Sequence, residues 1–203
     1  MMKIERVLRL IQLYNKKGRF LMKKLILIAA ILILLSGLAD ASDFTLKVKG
    51  NYFSPSEKAF KDIYGGGWVY GGEANFGMWK NLKLWVGASF FSKKGELTFT
   101  GEETKVRIIP IGGGVKYVSS VGGINYYSGI GINYYLYKET NPIGDASKGG
   151  FGIVGRIGSF MKVTGGLIID LYIDYSYCKM KPADYRINIG GFEAGIGIGY
   201  GFQ

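Results

Sequence analysis

From Phe192 to the end of the chain every second residue is apolar: Phe192, Ala194, Ile196, Ile198, Tyr200 and Phe202. The intervening positions hold Glu193 and then only glycine, at Gly195, Gly197, Gly199 and Gly201. A period of two specifies a β-strand whose two faces meet different surroundings. One face here is apolar and ends in aromatics; the other is almost bare and carries a single acid. That contrast suits a wall between lipid and a crowded polar interior.

The same period recurs through the preceding 150 or so residues, and no segment after residue 41 shows a helical repeat. Phe44 to Phe53 alternates, with Lys47 and Lys49 on the polar parity. Gly67 to Met78 follows, with Glu73 on that parity, and then a strand from Leu82 toward Thr98 beyond the turn Trp79-Lys80-Asn81. A fourth strand spans about Lys105 to Val118, with a bulge expected at Pro110, which lacks an N–H. Ile124 to Tyr137, Gly150 to Lys162, Leu167 to Tyr177 and Ile187 to Phe202 complete a set of eight. The connections alternate longer and shorter. The longer ones are expected before Tyr64, at Gly101 to Thr104, at Lys138 to Lys148 and at Lys179 to Arg186. Such alternation fits an up-and-down antiparallel barrel, all-β and eight-stranded, with tight turns at one end and longer loops at the other.

Period two alone does not say which face is inside. A soluble lipocalin-type barrel alternates too, with an apolar lumen and polar exterior. The membrane orientation is favoured because the apolar rows are long, nearly uncharged and closed by aromatics such as Tyr52, Trp68, Phe90, Tyr134, Tyr175 and Tyr200. On that orientation the lumen holds Lys47, Lys49, Glu73, Lys83, Lys116, Arg156, Asp170, Asp174 and Glu193. Buried charges must pair or cost several kcal/mol each. Strand adjacency points to Lys47 and Lys49 meeting Glu73 and Glu193, and Arg156 meeting Asp174 or Asp170. The network reads first as a structural filling of the barrel; a charge-lined ion path and an acid–base carboxylate pair are the alternatives. Arg107 falls on the lipid-facing parity, where a cation is costly at the midplane and cheap at the rim, so it is expected at the outer rim beside lipid phosphate.

Residues 1–41 form a leader and 42–203 the barrel domain. Lys23 and Lys24 precede the apolar run Leu25 to Leu35, and Ala39 and Ala41 supply small residues for signal cleavage. The run is short against the about 20 residues that cross a bilayer, although an uncleaved anchor is the alternative. Met22 reads as the natural start. The formal charge of +11 is concentrated in this leader, with eight Lys/Arg against two acids; 18 Lys/Arg against 13 Asp/Glu, a net +5, remain beyond it. No basic run remains there, so nucleic acid is not an expected partner. With no histidine anywhere, Ser–His–Asp, Cys–His and histidine-ligated metal sites are excluded. Cys178 is the only cysteine, so no intrachain disulfide forms. No cofactor or enzymatic role is expected.

The strand count, the leader and the terminal Gly197–Tyr200–Phe202 spacing resemble the small outer-membrane β-barrel family of OmpA/OmpX type. The resemblance implies an outer-membrane location in a diderm bacterium and membrane lipid as the surroundings. It also implies recognition of the last strand by the barrel-assembly machinery through Gly197, Tyr200 and Phe202, and a monomer is expected. Gly195 stands where that signal usually has a polar residue, and Gln203 follows the aromatic that usually ends it. The expected role is structural or surface-interacting, with a small pore or a soluble ligand-binding barrel as alternatives. The lipid A deacylase and palmitoyltransferase barrels of the family rely on a histidine that this chain lacks.

Overall fold

The computed structural model describes residues 43–96, 101–142, 144–181 and 186–202. The leader, with Met22, Ala39 and Ala41, lies outside the described residues. Ten strands, one α-helix and one 3-10 turn follow in order: β1 (Phe44–Pro55), α1 (Lys58–Tyr64), β2 (Gly67–Trp79), β3 (Leu82–Glu96), β4 (Glu103–Val121), β5 (Ile124–Asn141), β6 (Gly144–Lys162), the 3-10 turn (Thr164–Gly166), β7 (Leu167–Tyr177), β8 (Lys179–Met180), β9 (Ile187–Asn188) and β10 (Gly191–Phe202). Eight of the strands close into an antiparallel barrel in the order β1-β10-β7-β6-β5-β4-β3-β2, while β8 and β9 form a separate short ribbon. The seam is complete: β1 and β10 pair from Phe44↔Phe202 to Pro55↔Gly191 without a register shift.

The orientation of the faces is the reverse of a soluble barrel. Outward positions are apolar and exposed, with Val48 at 74% and Ile130 at 70% exposure, whereas inward positions include Lys47, Glu73, Lys116, Arg156, Asp170 and Asp174, all buried. The outward row of β10 from Phe192 to Phe202 covers about 33 Å along the strand, or ~25 Å of height at the 35–45° tilt of a closed barrel. That is the height of a hydrocarbon-facing band. Aromatic pairs close it at both edges. At the end bearing the tight turns and the N-terminal strand, Phe44 packs on Phe76 and Phe202, and Tyr200 on Phe202. At the loop end, Tyr52 meets Trp68, Tyr134 meets Phe151, and Tyr175 meets Phe192. Arg107 lies on β4 one outward position beyond Ile109, its guanidinium 5.9 Å from the Phe90 ring. It therefore stands at the loop-end rim and not in the band.

Four local expectations are corrected. Pro110 makes no bulge. The β3–β4 ladder omits the pairs at Ser89 and Phe90 and resumes at the same offset, from Ala88↔Ile111 to Phe91↔Ile108. The β4–β5 ladder runs through Pro110↔Tyr135 unbroken, so the missing N–H falls on the β3 side. The one bulge in the barrel ladders of the described residues is at Gly77/Trp79, beside the β2–β3 turn. The stretch Lys138 to Lys148 is no long loop, since β5 and β6 stay paired to Asn141↔Gly144. Its outward polar side chains, Lys138, Thr140, Asp145 and Ser147, are exposed beyond the apolar band. The segment before Tyr64 contains a short helix, α1, which places Phe60 and Tyr64 on one face at i, i+4 spacing. Finally, the closing strand is interrupted. Ile187 and Asn188 pair with β8, and the Asn188 side chain accepts the backbone N–H groups of Cys178 (3.0 Å) and Gly190 (3.1 Å) before β10 begins. Elsewhere local chemistry and fold agree. Gly122 and Gly123, both at positive φ, make the two-residue turn between β4 and β5 that a right-twisted hairpin favours.

Candidate functional site: the ionic layer of the lumen

The lumen is filled in three layers. At mid-height, cations from β1, β4 and β6 converge on Glu73 of β2. Its carboxylate accepts from Lys116 at 2.5 Å and from Arg156, and lies 3.0 Å from Lys47 and 3.3 Å from Lys49. Arg156 also donates from Nε (3.1 Å) and Nη2 (2.6 Å) to the two oxygens of Asp174. This is the two-pronged geometry that makes guanidinium–carboxylate pairs strong. Lys47 donates to Asp170, which also accepts from the Tyr127 hydroxyl at 3.0 Å. Lys49 lies 3.7 Å from Asp174.

The positions differ in part from those that strand adjacency suggests. Glu193 does not pair with Lys47 or Lys49: it accepts from Asn51 Nδ2 at 2.5 Å, and Asn51 in turn accepts from the Tyr172 hydroxyl at 2.9 Å. Asp170 serves Lys47 and not Arg156. Lys83 stands apart from the layer, paired with Asp43 at 2.5 Å near the turn end. The contact between Arg156 on β6 and Glu73 on β2 crosses the lumen between strands that are not neighbours, so adjacency could not reveal it. The ion-paired layer has four cations, Lys47, Lys49, Lys116 and Arg156, against Glu73, Asp170 and Asp174, with Glu193 beside it. Aromatic faces cover the remaining cation surface: Lys49 sits 3.8 Å from the Tyr172 ring centre, Lys116 4.8 Å from Tyr127, and Arg156 4.1 Å from Trp85.

Above this layer the loop end is closed by an apolar plug that the sequence pattern did not announce. Phe60 and Tyr64 of α1, with Met180, Ile187 and Ile189 of the β8–β9 segment, pack among the inward residues Phe53, Val69, Phe91, Val106, Ile108, Tyr135 and Tyr137. Polar contacts fasten the two loops together. Ser56 donates its N–H and its hydroxyl to the Gly190 carbonyl at 3.1 and 2.9 Å, and Glu57 accepts the Asn188 N–H at 3.2 Å. Tyr64 donates to Glu139 at 2.7 Å, tying the helix to β5. Below the ionic layer a smaller cluster of Val118, Tyr127 and Tyr172, flanked by Phe160, fills the turn end.

The space left is small. A cavity of about 50 Å³ lies among Lys49, Glu73, Trp85, Arg156 and Glu193, with cavities of about 20 Å³ above and below it. The first holds one to a few waters, and none admits an organic substrate. Each carboxylate of the layer is engaged by hydrogen bonds or cations. The three residues of the terminal spacing divide between faces: Tyr200 and Phe202 point out into the turn-end girdle, while Gly197 lines the lumen beside Asp170.

No protein-family model matches the sequence, and no curated protein matches it. Solved structures do match. Neisserial surface protein A is 16% identical, with a TM-score of 0.61 over 77% of this chain and 96% of that one. OprG from Pseudomonas aeruginosa is 14% identical, with a TM-score of 0.61 over 80% and 97%. Outer Membrane Protein W of E. coli is 16% identical, with a TM-score of 0.53 over 80% and 98%. At such identities the likeness is one of architecture: this chain has the fold of the small eight-stranded outer-membrane barrels.

Proposed function

We propose that the chain is a closed, non-enzymatic barrel of the outer membrane of a diderm bacterium, which presents its loop-end hairpins to the surroundings and conducts no solute. The observation that carries this reading is the filled lumen: an apolar plug, a paired ionic layer and a second apolar cluster lie in series along the axis. The outward apolar band with its two aromatic edges supports the membrane location, because an exterior of that composition is stable in hydrocarbon and not in water. The outer-membrane proteins of the same fold support it too. On this reading the chain works as a monomer in lipid, and its last strand is the element handed to the barrel-assembly machinery.

The test is electrical. The refolded chain is inserted in a planar bilayer, with insertion checked by the difference in gel mobility between boiled and unboiled samples. Silence at all voltages is expected. Steady conductance steps that vanish in Glu73→Gln or Arg156→Gln would replace the closed reading with that of a small pore. Recovery of the chain as a stable monomer without detergent would remove the membrane reading altogether.

A further inference from the structure

Outside the lumen, cations collect on one sector of the loop-end rim. Arg107 on β4 and Lys138 on β5 are direct cross-strand partners on the outward face. The outward pair one step toward the turn end is Ile109↔Leu136. Two positive charges thus stand side by side at the top edge of the hydrocarbon-facing band. Like charges at opposed positions, with Cβ atoms about 5 Å apart, destabilise a sheet unless something negative lies between them. Nearby carboxylates supply only part of this. Lys138 has Asp145 at 3.2 Å and Lys94 has Glu103 at 2.8 Å, whereas Arg107 and Lys105 have no carboxylate partner among the described residues. Ser92 and Ser147 flank Arg107 and Lys138 in the same lateral row across β3 to β6. The row is about 14 Å wide at the usual strand spacing. Phe90 supports the Arg107 guanidinium from below, at 5.9 Å.

We infer that this sector is a binding site for the phosphate of an outer-leaflet lipid headgroup, with Arg107, Lys105 and Lys138 as cationic donors and Ser92 and Ser147 as hydroxyl donors. This rests on the membrane-barrel reading above. A lipid and not a free anion is the fitting occupant because the donors sit directly above apolar side chains: a headgroup at that level lets its acyl chains run down over Ile109 and Leu136. Guanidinium and ammonium together suit a tetrahedral oxyanion, the first in two-pronged fashion and the second as a point charge.

Native mass spectrometry of the chain refolded in detergent, titrated with phosphatidic acid, tests the site. Each basic residue at a membrane surface is worth roughly fivefold in affinity for anionic lipid. Arg107→Gln should therefore weaken binding of the first phosphatidic acid about fivefold, and Lys105→Gln/Arg107→Gln/Lys138→Gln about 100-fold. Lys80→Gln, in the β2–β3 turn at the other rim, should leave it unchanged. Equal affinity in wild type and triple variant overturns the proposal, and so does an equal loss in Lys80→Gln. Displacement of the lipid by inorganic phosphate at matched concentration overturns the choice of a lipid. The gel mobility difference, measured on every variant, separates the two readings. A chain that folds and inserts but shows no preference for phosphatidic acid over phosphatidylcholine fails here alone, whereas a chain that never inserts fails as a membrane barrel.

Discussion

Replacing Glu73 by glutamine removes the carboxylate on which four cations converge, with little change of shape. Its consequences follow from who keeps a partner. Lys47 retains Asp170, Arg156 retains both oxygens of Asp174, and Lys49 retains Asp174 at 3.7 Å. Lys116 is left with neutral partners alone, among them the Asn75 amide oxygen at 2.8 Å and the Tyr127 ring at 4.8 Å, in a site where it is 3% exposed. Removing one member of a buried ion pair costs about 3–5 kcal/mol, chiefly because the surviving charge stays desolvated. Glu73→Gln should thus lower the barrel's unfolding free energy by that amount. Adding Lys116→Met removes the stranded cation and should recover about half of the loss, a coupling well above the few tenths expected of independent sites. Urea unfolding in lipid vesicles, followed by tryptophan fluorescence and gel mobility, measures all four members of the cycle. Trp85 reports locally, since Arg156 stacks 4.1 Å from its ring. Stability of Glu73→Gln within about 1 kcal/mol of wild type, or a double variant no better than the single, would refute the view that this carboxylate holds the layer together.

Three further outcomes follow from other parts of the barrel. A Cβ on Gly131 would lie 2.4 Å from Trp85 Cζ2 and 2.6 Å from the Gly113 carbonyl, so Gly131→Ala should cost about 1–3 kcal/mol by overpacking. Gly155→Ala on the outer face, with nothing within 4 Å, should change stability by less than about 0.5 kcal/mol in the same assay. Ile130→Lys, in the middle of the outward band, should cost about 2–4 kcal/mol, whereas Leu136→Lys beside Arg107 should cost about 0–1; equal costs would mean that the band is misplaced. Burial pushes the Cys178 thiol up to about 11, which leaves ~100-fold less thiolate at pH 8 than an ordinary cysteine has. Maleimide should therefore label it only after unfolding, and prompt labelling of the folded barrel would contradict its burial beneath the β8–β9 ribbon.

Much of the barrel was legible because lipid and lumen impose unlike demands on alternate residues. Rows such as Leu167, Ile169, Leu171, Ile173 against Ile168, Asp170, Tyr172, Asp174 carry both the strand and its two faces. What stayed hidden lies where that contrast lapses. Beyond the band, outward residues such as Thr140, Asp145 and Ser147 meet water, so β5 and β6 extend there without an apolar row to mark them. Phe60, Tyr64, Met180, Ile187 and Ile189 sit in segments too short for any period to emerge, and their shared destination in the barrel mouth is a long-range fact. Partner choice within the ionic layer was the least legible of all. Neighbouring strands offered Lys49 to Glu193, but side-chain reach across the lumen let Arg156 claim Glu73 and left Glu193 to Asn51.

The seam between β1 and β10 carries a kinetic consequence. Its first pair joins Phe44 to Phe202, positions 158 apart in the chain, so the ring of hydrogen bonds is open until β10 has reached β1. Closing a loop of that length costs ~4–5 kcal/mol of chain entropy before any seam contact repays it. Until then Lys47 on the first strand lacks Asp170 on the seventh, and the edges of β1 and β10 are bare templates for pairing with other chains. Folding of this barrel is therefore an end-game, slow by topology and most vulnerable to aggregation just before completion. Shielding those two edges is the service such a chain most needs from any factor that assists it.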